Sequence, residues 1–202
     1  MALSMSAGPA RPRGFIIFKY VVYGLLAINV VLFLIIGEAH ESIDSLGWVL
    51  LLGSFEFETS SQNENYSSPT EKYVVRALQI TGYSMALYGT WSYWQAQEWP
   101  DFINAFSWLC VCATLAYDVY APGGYGGLEW RIRNLVKAVL YAILLGVALW
   151  WAYDGLIVEP TAHSLLEVYD AFLWIVCFGV IELNVFDNEA EDDAGGALNA
   201  TG

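Results

Sequence analysis

The chain has 202 residues, of which 57% are hydrophobic and only 14% charged, and its mean hydropathy is +0.46. Disordered chains are poor in aromatic residues, so 9 Trp, 13 Tyr and 10 Phe exclude disorder as the main class. A soluble domain of this size could not bury so many apolar residues in one core. The net charge of −13 excludes nucleic acid as a partner, because that requires a basic surface. The composition therefore predicts an all-α integral membrane protein.

Six apolar runs follow one another along the chain and are separated by polar breaks. A run of about 20 residues is long enough to cross a bilayer as a helix. The first run is not expected to be a signal peptide, because it is too long and no small-residue cleavage site follows it. The sequence thus predicts six transmembrane helices. The runs are 15–36, 45–57, 74–95, 102–119, 134–153 and 165–186.

The polar breaks divide the chain into three helical hairpins. Because the residues after 186 are acidic, small and Gly-rich, we expect a disordered tail. The predicted parts are an N-terminal cytoplasmic segment (1–13), hairpin 1 (14–60), a cytoplasmic loop (61–72), hairpin 2 (73–120), a Gly-rich cytoplasmic loop (121–131), hairpin 3 (132–186) and the tail (187–202).

Basic residues mark one side of the predicted membrane protein. With six spans, all eight Lys and Arg fall on or next to the side that holds both termini. The positive-inside rule then predicts an inner-membrane protein with both termini in the cytoplasm. The opposite, outer side is strongly acidic. The basic residues are Arg11, Arg13, Lys19, Lys72, Arg76, Arg131, Arg133 and Lys137.

A threefold internal repeat appears when the even-numbered runs are aligned on a Trp. An acid lies seven residues before each Trp, and Asp or Asn lies four before it. The Trp positions are 60 and then 66 residues apart, and each unit begins with a basic residue. Self-similarity on this scale predicts three parallel hairpins in a pseudo-threefold six-helix bundle. The three units are Glu41, Asp44 and Trp48; Asp101, Asn104 and Trp108; and Glu167, Asp170 and Trp174.

A second set of polar residues follows each Trp by eight or ten positions, although Ala116 departs from the pattern. At 100° per residue, the repeated positions share one half of the helical wheel. Polar groups in lipid are costly, so this face is expected to turn inward, with the even helices at the centre. The second set forms a predicted inner polar ring of Glu56, Glu58, Asp118, Glu182 and Asn184.

The repeated residues have two interpretations. Outer acids could cap helix N-termini, and Asp44, Asn104 and Asp170 are suitable capping types. Alternatively, they form a carboxylate ring that interacts with cations. The three Trp residues are either packing aromatics or a constriction on a central axis. No repeated metal site is predicted, although His40 and His163 with Glu41 and another acid form a minor alternative.

The chain contains no recognisable catalytic motif and no cofactor signature. The favoured function is a non-catalytic membrane subunit or scaffold. The first alternative is a carboxylate-lined channel or transporter for cations or protons, and the second is a metal-dependent membrane enzyme. The expected partners are the lipid bilayer, cations, and either another membrane protein or further copies of this chain. No catalytic residue, metal ligand or cofactor is predicted.

Overall fold

A computed structural model describes residues 13–61, 69–120 and 127–179, and all of its regular structure is helical. The helices are α1 (Arg13–Ile36), α2 (Ala39–Ser61), α3 (Pro69–Ala96), α4 (Trp99–Tyr120), α5 (Leu128–Tyr153) and α6 (Ala162–Gly179). Helix α5 continues as a π-helical turn over Asp154–Val158. The acidic tail lies outside the described residues, as do Glu182 and Asn184.

Several helices extend into the predicted polar breaks. Helix α3 begins at Pro69, inside the predicted loop 61–72, and α5 begins at Leu128, inside the predicted loop 121–131. Proline is favoured in the first helical turn, where its missing N–H has no partner to lose. Helix α2 begins at Ala39, six residues before its apolar run. Apolar patterning therefore underestimates the helix lengths, because it does not detect polar first turns.

Three helices of the described residues are long and apolar enough to cross a membrane: Gly14–Ile36, Leu128–Val158 and Ala162–Gly179. This finding supports a helical membrane protein. The same measure does not select α2, α3 or α4, in which acidic and other polar side chains lower the hydropathy. The count of six spans therefore stays a prediction.

The described helices form two layers. Helices α2, α4 and α6 meet through their Trp side chains. Helix α1 packs on α2 and, through Val22 and Leu26, on Leu173 and Cys177 of α6. Helix α3 packs on α2 and α4, and α5 packs on α4 and α6. The even helices thus form an inner layer, and each odd helix lies in front of the gap between two of them.

The outer layer exposes large apolar side chains. On α1, Leu34 and Ile35 have relative exposures of 67% and 74%, and α5 likewise exposes Leu135 and Leu149. Contiguous apolar surface of this kind is costly in water but is the ordinary surface of a helix in lipid. The exposed outer faces and the polar inner residues are therefore consistent with a membrane environment.

Helices α2 and α3 make the closest helix contact. A Cβ atom on Gly47 would lie 2.8 Å from Met85 Cβ, and one on Gly82 would lie 2.8 Å from Leu51 Cγ. One on Gly89 would lie 2.6 Å from Asp44 Oδ1. Small residues at helix interfaces let backbones approach closely in membranes. This seam fixes α2, and with it Asp44, against α3.

Three short connections, 37–38, 97–98 and 159–161, join the helices of each hairpin at the same end of the bundle, here called the turn end. Gln97 ends α3 with a φ of 64°. Its N–H bonds to Trp94 O, and the N–H of Glu98 bonds to Tyr93 O, which is the Schellman pattern of a helix C-terminus. The opposite end, where α1, α3 and α5 begin, is called the basic end.

Candidate functional site

A small cavity lies at the turn end, and the repeated outer residues line it. Two come from each of α2, α4 and α6, and Phe33, Tyr93 and Trp151 complete the lining. The cavity measures about 30 Å³, on a scale where one water needs roughly 10–15 Å³. The six residues that the structure brings together here are Glu41, Asp44, Asp101, Asn104, Glu167 and Asp170.

Asp44 and Asp170 occupy the floor of this cavity in matching ways. Trp48 Nε1 donates to Asp44 Oδ1 over 3.1 Å, and the Tyr93 hydroxyl donates to Asp44 Oδ2 over 3.5 Å. Asp170 accepts a hydrogen bond from its own Trp174, and also from Asn29 Nδ2 over 2.5 Å. In both helices, therefore, the Trp four residues later holds the carboxylate against the inner layer.

The capping interpretation is wrong for the residues four before each Trp. Asp44 and Asn104 are the sixth residues of α2 and α4, and Asp170 is the ninth residue of α6. An N-cap residue precedes the first helical residue, so none of these three side chains lies in a capping position. The expectation failed because the helices begin earlier than the apolar pattern indicates.

Capping instead involves other residues. Glu41, the third residue of α2, accepts the backbone N–H of Glu38 over 2.5 Å, which is the returning half of a capping box. At α6, Thr161 Oγ1 accepts the N–H of Ser164, and Ser164 Oγ accepts the N–H of Thr161. Helix α6 starts one turn earlier, relative to its Trp, than α2 does. Glu167 therefore lies further into its helix than Glu41 does, and it plays no part in that cap.

The three repeat aromatics meet below the cavity floor. Ring centroids of Trp48 and Trp108, and of Trp48 and Trp174, are 6.4 Å apart, and those of Trp108 and Trp174 are 6.3 Å apart. The rings thus form a nearly equilateral triangle, here called the Trp collar. A second cavity, of about 10 Å³, lies beside it against Asn104 and Asp170. The collar closes the centre of the inner layer.

At the basic end, the two residues of the predicted inner ring whose side chains the structure describes form separate ion pairs. Glu56 pairs with Lys19 and accepts the Tyr23 hydroxyl over 3.0 Å. Asp118 pairs with Lys137, and also with Arg133 Nη1 over 2.7 Å. The structure does not describe the side chain of Glu58. Among the residues it does describe, the inner carboxylates are therefore neutralised by bases at the starts of α1 and α5.

Two histidines, His40 and His163, lie at the turn end in separate clusters and not in the single site that the sequence analysis kept as a minor alternative. His163 Nε2 lies 2.9 and 3.1 Å from the two carboxylate oxygens of Glu41. His40 Nε2 lies 3.0 Å from Glu98 Oε2, and His40 Nδ1 lies 3.6 Å from Glu38 Oε2. Glu41 therefore belongs with His163 and not with His40.

Sequence reasoning missed Asn29 and Tyr93, which bond the two floor carboxylates from α1 and α3. Neither residue belongs to the repeat. The available signal was weak, because Asn29 is a single amide inside the apolar run 15–36, and such residues are costly in lipid unless they have a partner.

Comparison with protein-family models, with curated proteins and with solved structures finds no match to this chain.

Proposed function

We propose that the protein is a six-span membrane protein, with both termini in the cytoplasm, that takes up cations at its outer end and passes them along a gated central pathway. In this arrangement the turn end faces outward. One observation carries the proposal: six polar side chains from three helices converge on one cavity, and five of them are carboxyl groups.

The charge in the cavity requires compensation. Burying an ionised carboxylate is costly unless a counter-charge or hydrogen bonds replace its water. Among the described residues, the only basic side chain within hydrogen-bonding distance of a cavity carboxylate is His163, which lies beside Glu41. The described Lys and Arg side chains that pair with acids do so at the basic end. Cations or protons drawn from solution would supply the missing positive charge.

The order of the layers supports a pathway with a gate. The acid seven residues before each Trp, here called the mouth acid, comes first on passing inward along each even helix. The floor Asp or Asn comes one turn later, and the Trp comes one turn after that. A hydrophobic constriction is a common gate in channels, because it excludes water until its side chains move apart. In this proposal the Trp collar is the gate, and the structure represents its closed state.

The alternative of a non-catalytic subunit or scaffold is favoured by a different observation. The collar is filled by three packed indoles, and Glu56 and Asp118 are already paired, so the side chains that the structure describes at the basic end offer no second open carboxylate ring. On that alternative, the cavity acids would serve only to hold the inner helices together.

Cation flux into liposomes distinguishes the two functions. Purified protein would be reconstituted and tested with Na⁺, K⁺, H⁺ and Zn²⁺ gradients, using dyes enclosed in the vesicles. The key variant is the double substitution Asp44→Asn and Asp170→Asn, which removes floor charge but keeps side-chain size. Glu38→Gln is the matched control, because Glu38 is an exposed carboxylate at the same end that does not line the cavity.

We expect flux from the wild-type protein and from Glu38→Gln, and at least a tenfold loss in the double variant. Circular dichroism and gel filtration would show whether the double variant is folded. Flux at the level of empty liposomes for all four cations, from folded wild-type protein, would refute the pathway and leave the scaffold. Equal flux from the folded double variant would refute the role of the floor carboxylates.

A further inference from the structure

We infer that the mouth of the cavity is a binding site for a divalent transition-metal ion, with Glu41, His163 and Glu167 as ligands. This inference rests on the proposed function, since it names the class of cation that the outer end selects. It goes beyond a general attraction of positive charge, because it assigns specific donor atoms on two helices.

The donor atoms are already gathered. One atom from each of Glu41, His163 and Glu167 can be chosen so that all lie within 4.8 Å of one another. Ligands about 2.0–2.2 Å from a tetrahedral zinc ion lie roughly 3.4 Å apart. The contacts between His163 Nε2 and the Glu41 oxygens, at 2.9 and 3.1 Å, are close to that separation. Rotation of the Glu167 side chain toward them would complete the set.

The surroundings of this cluster match those of a metal site. Glu41 is 6% exposed, and the Glu38 N–H that bonds to its Oε2 fixes its orientation from behind, as outer-shell hydrogen bonds do in metalloproteins. Glu41 and Glu167 both line the cavity, and so does Asp101 of α4. A fourth ligand, either water or the Asp101 carboxylate, would therefore approach from the cavity side.

A buried, unpartnered oxygen lies close to the floor carboxylate Asp170, on a residue that does not itself line the cavity. Asn29 is fully buried, its Nδ2 bonds to Asp170, and its Oδ1 has no partner among the described residues. It lies one helical turn from Phe33, which lines the cavity. A buried amide oxygen without a partner is uncommon and is usually explained by a water or an ion.

The chemistry of the donors selects the class of ion. Calcium and magnesium take oxygen ligands almost exclusively. An imidazole nitrogen combined with carboxylates suits the divalent ions from manganese to zinc. The second histidine cluster, Glu38, His40 and Glu98, gathers its donor atoms within the same 4.8 Å. Its carboxylates are more open to water, because the side chains of Glu38 and Glu98 are 72% and 36% exposed whereas that of Glu41 is 7% exposed.

Binding of Co²⁺ and Zn²⁺ to the purified full-length protein in detergent tests the inference. Co²⁺ reports its coordination directly through ligand-field absorption, and Zn²⁺ titration by calorimetry gives affinity and stoichiometry. The central variant is His163→Gln. A second variant, Glu167→Gln, gives an independent test if the first does not fold. His40→Gln is the matched control, since it alters the other cluster at the same end.

We expect one equivalent of metal, a loss of affinity of more than about 100-fold in His163→Gln and in Glu167→Gln, and a change of less than twofold in His40→Gln. For comparison, removing only an outer-shell partner of a metal ligand lowers metal affinity roughly 10–100-fold. The absorption spectrum of bound Co²⁺ should also lose its nitrogen contribution in His163→Gln.

Two outcomes would overturn the inference: no binding of either metal to folded wild-type protein, or loss of binding in His40→Gln but not in His163→Gln. Either result is compatible with flux of Na⁺, K⁺ or H⁺, so the proposed function would survive it. Conversely, metal binding that depends on His163 without any flux would uphold the site and refute the pathway.

Discussion

Replacement of Gly89 by Ala tests how closely α3 approaches the cavity floor. The added Cβ would lie 2.6 Å from both Cβ and Oδ1 of Asp44 and 2.8 Å from its Cγ. Real Cβ atoms do not approach other atoms this closely, so either Asp44 or the whole of α3 must shift. Asp44 can move little, because Trp48 and Tyr93 both bond to it.

The expected change in unfolding free energy for Gly89→Ala follows from two opposing effects. Overpacking by one methyl group in a tight contact costs about 1–3 kcal/mol. Replacing Gly by Ala inside a helix gains about 0.5–1 kcal/mol. Gly24→Ala is the matched control for the second effect alone, because nothing lies within 4 Å of the Cβ position at Gly24 in α1. The two variants should therefore differ in unfolding free energy by about 1–3 kcal/mol.

Thermal unfolding in detergent, followed by circular dichroism, would measure this difference. For a chain of this length, 1 kcal/mol corresponds to about 2–4 °C in Tm. We expect Gly24→Ala to unfold at or above the wild-type temperature and Gly89→Ala to unfold roughly 2–12 °C below Gly24→Ala. A Gly89→Ala variant as stable as Gly24→Ala would refute the close contact between α3 and Asp44.

Three further predictions concern other parts of the bundle. Gln97→Gly should raise the unfolding free energy by about 0.5–1 kcal/mol, because a non-glycine residue at positive φ is strained; a lower Tm would contradict this reading of the turn. Lys19→Met and Glu56→Gln should show a coupling energy of about 1–3 kcal/mol in a double-mutant cycle, since the residues form a part-buried pair; additive losses would contradict it. Trp108→Ala should lower stability by about 3–5 kcal/mol and increase cation flux through liposomes, and unchanged flux from the folded variant would show that the collar does not limit passage.

Much of the site was predictable from one pattern. Alignment on Trp48, Trp108 and Trp174 selected the three residues whose rings meet in the inner layer. The same alignment selected all six polar residues of the cavity lining. A shared face on three helices carries this information, since side-chain direction follows from the helical period.

Other features could not be predicted in this way. The sequence offered no means of choosing which histidine approaches Glu41, because that choice depends on how the connection before α6 folds. The π-helical turn Asp154–Val158 brings Gly155 against Ser164 and sets that approach. The ion pairs of Glu56 and Asp118 were missed for a different reason. Each basic residue at the start of an odd helix was treated as a topology signal, although Lys19 and Lys137 also reach the acids of the neighbouring helices.

The triangular contact of the collar has a consequence for motion. Each indole touches both of the others, so displacing any one ring removes two of the three contacts and leaves a single pair in place. A half-open arrangement therefore keeps little of the packing energy, and tightly packed interfaces of this kind tend to switch between discrete arrangements. The collar therefore joins α2, α4 and α6 in one packed contact, so that a shift of any one of these helices requires its Trp to repack against the other two.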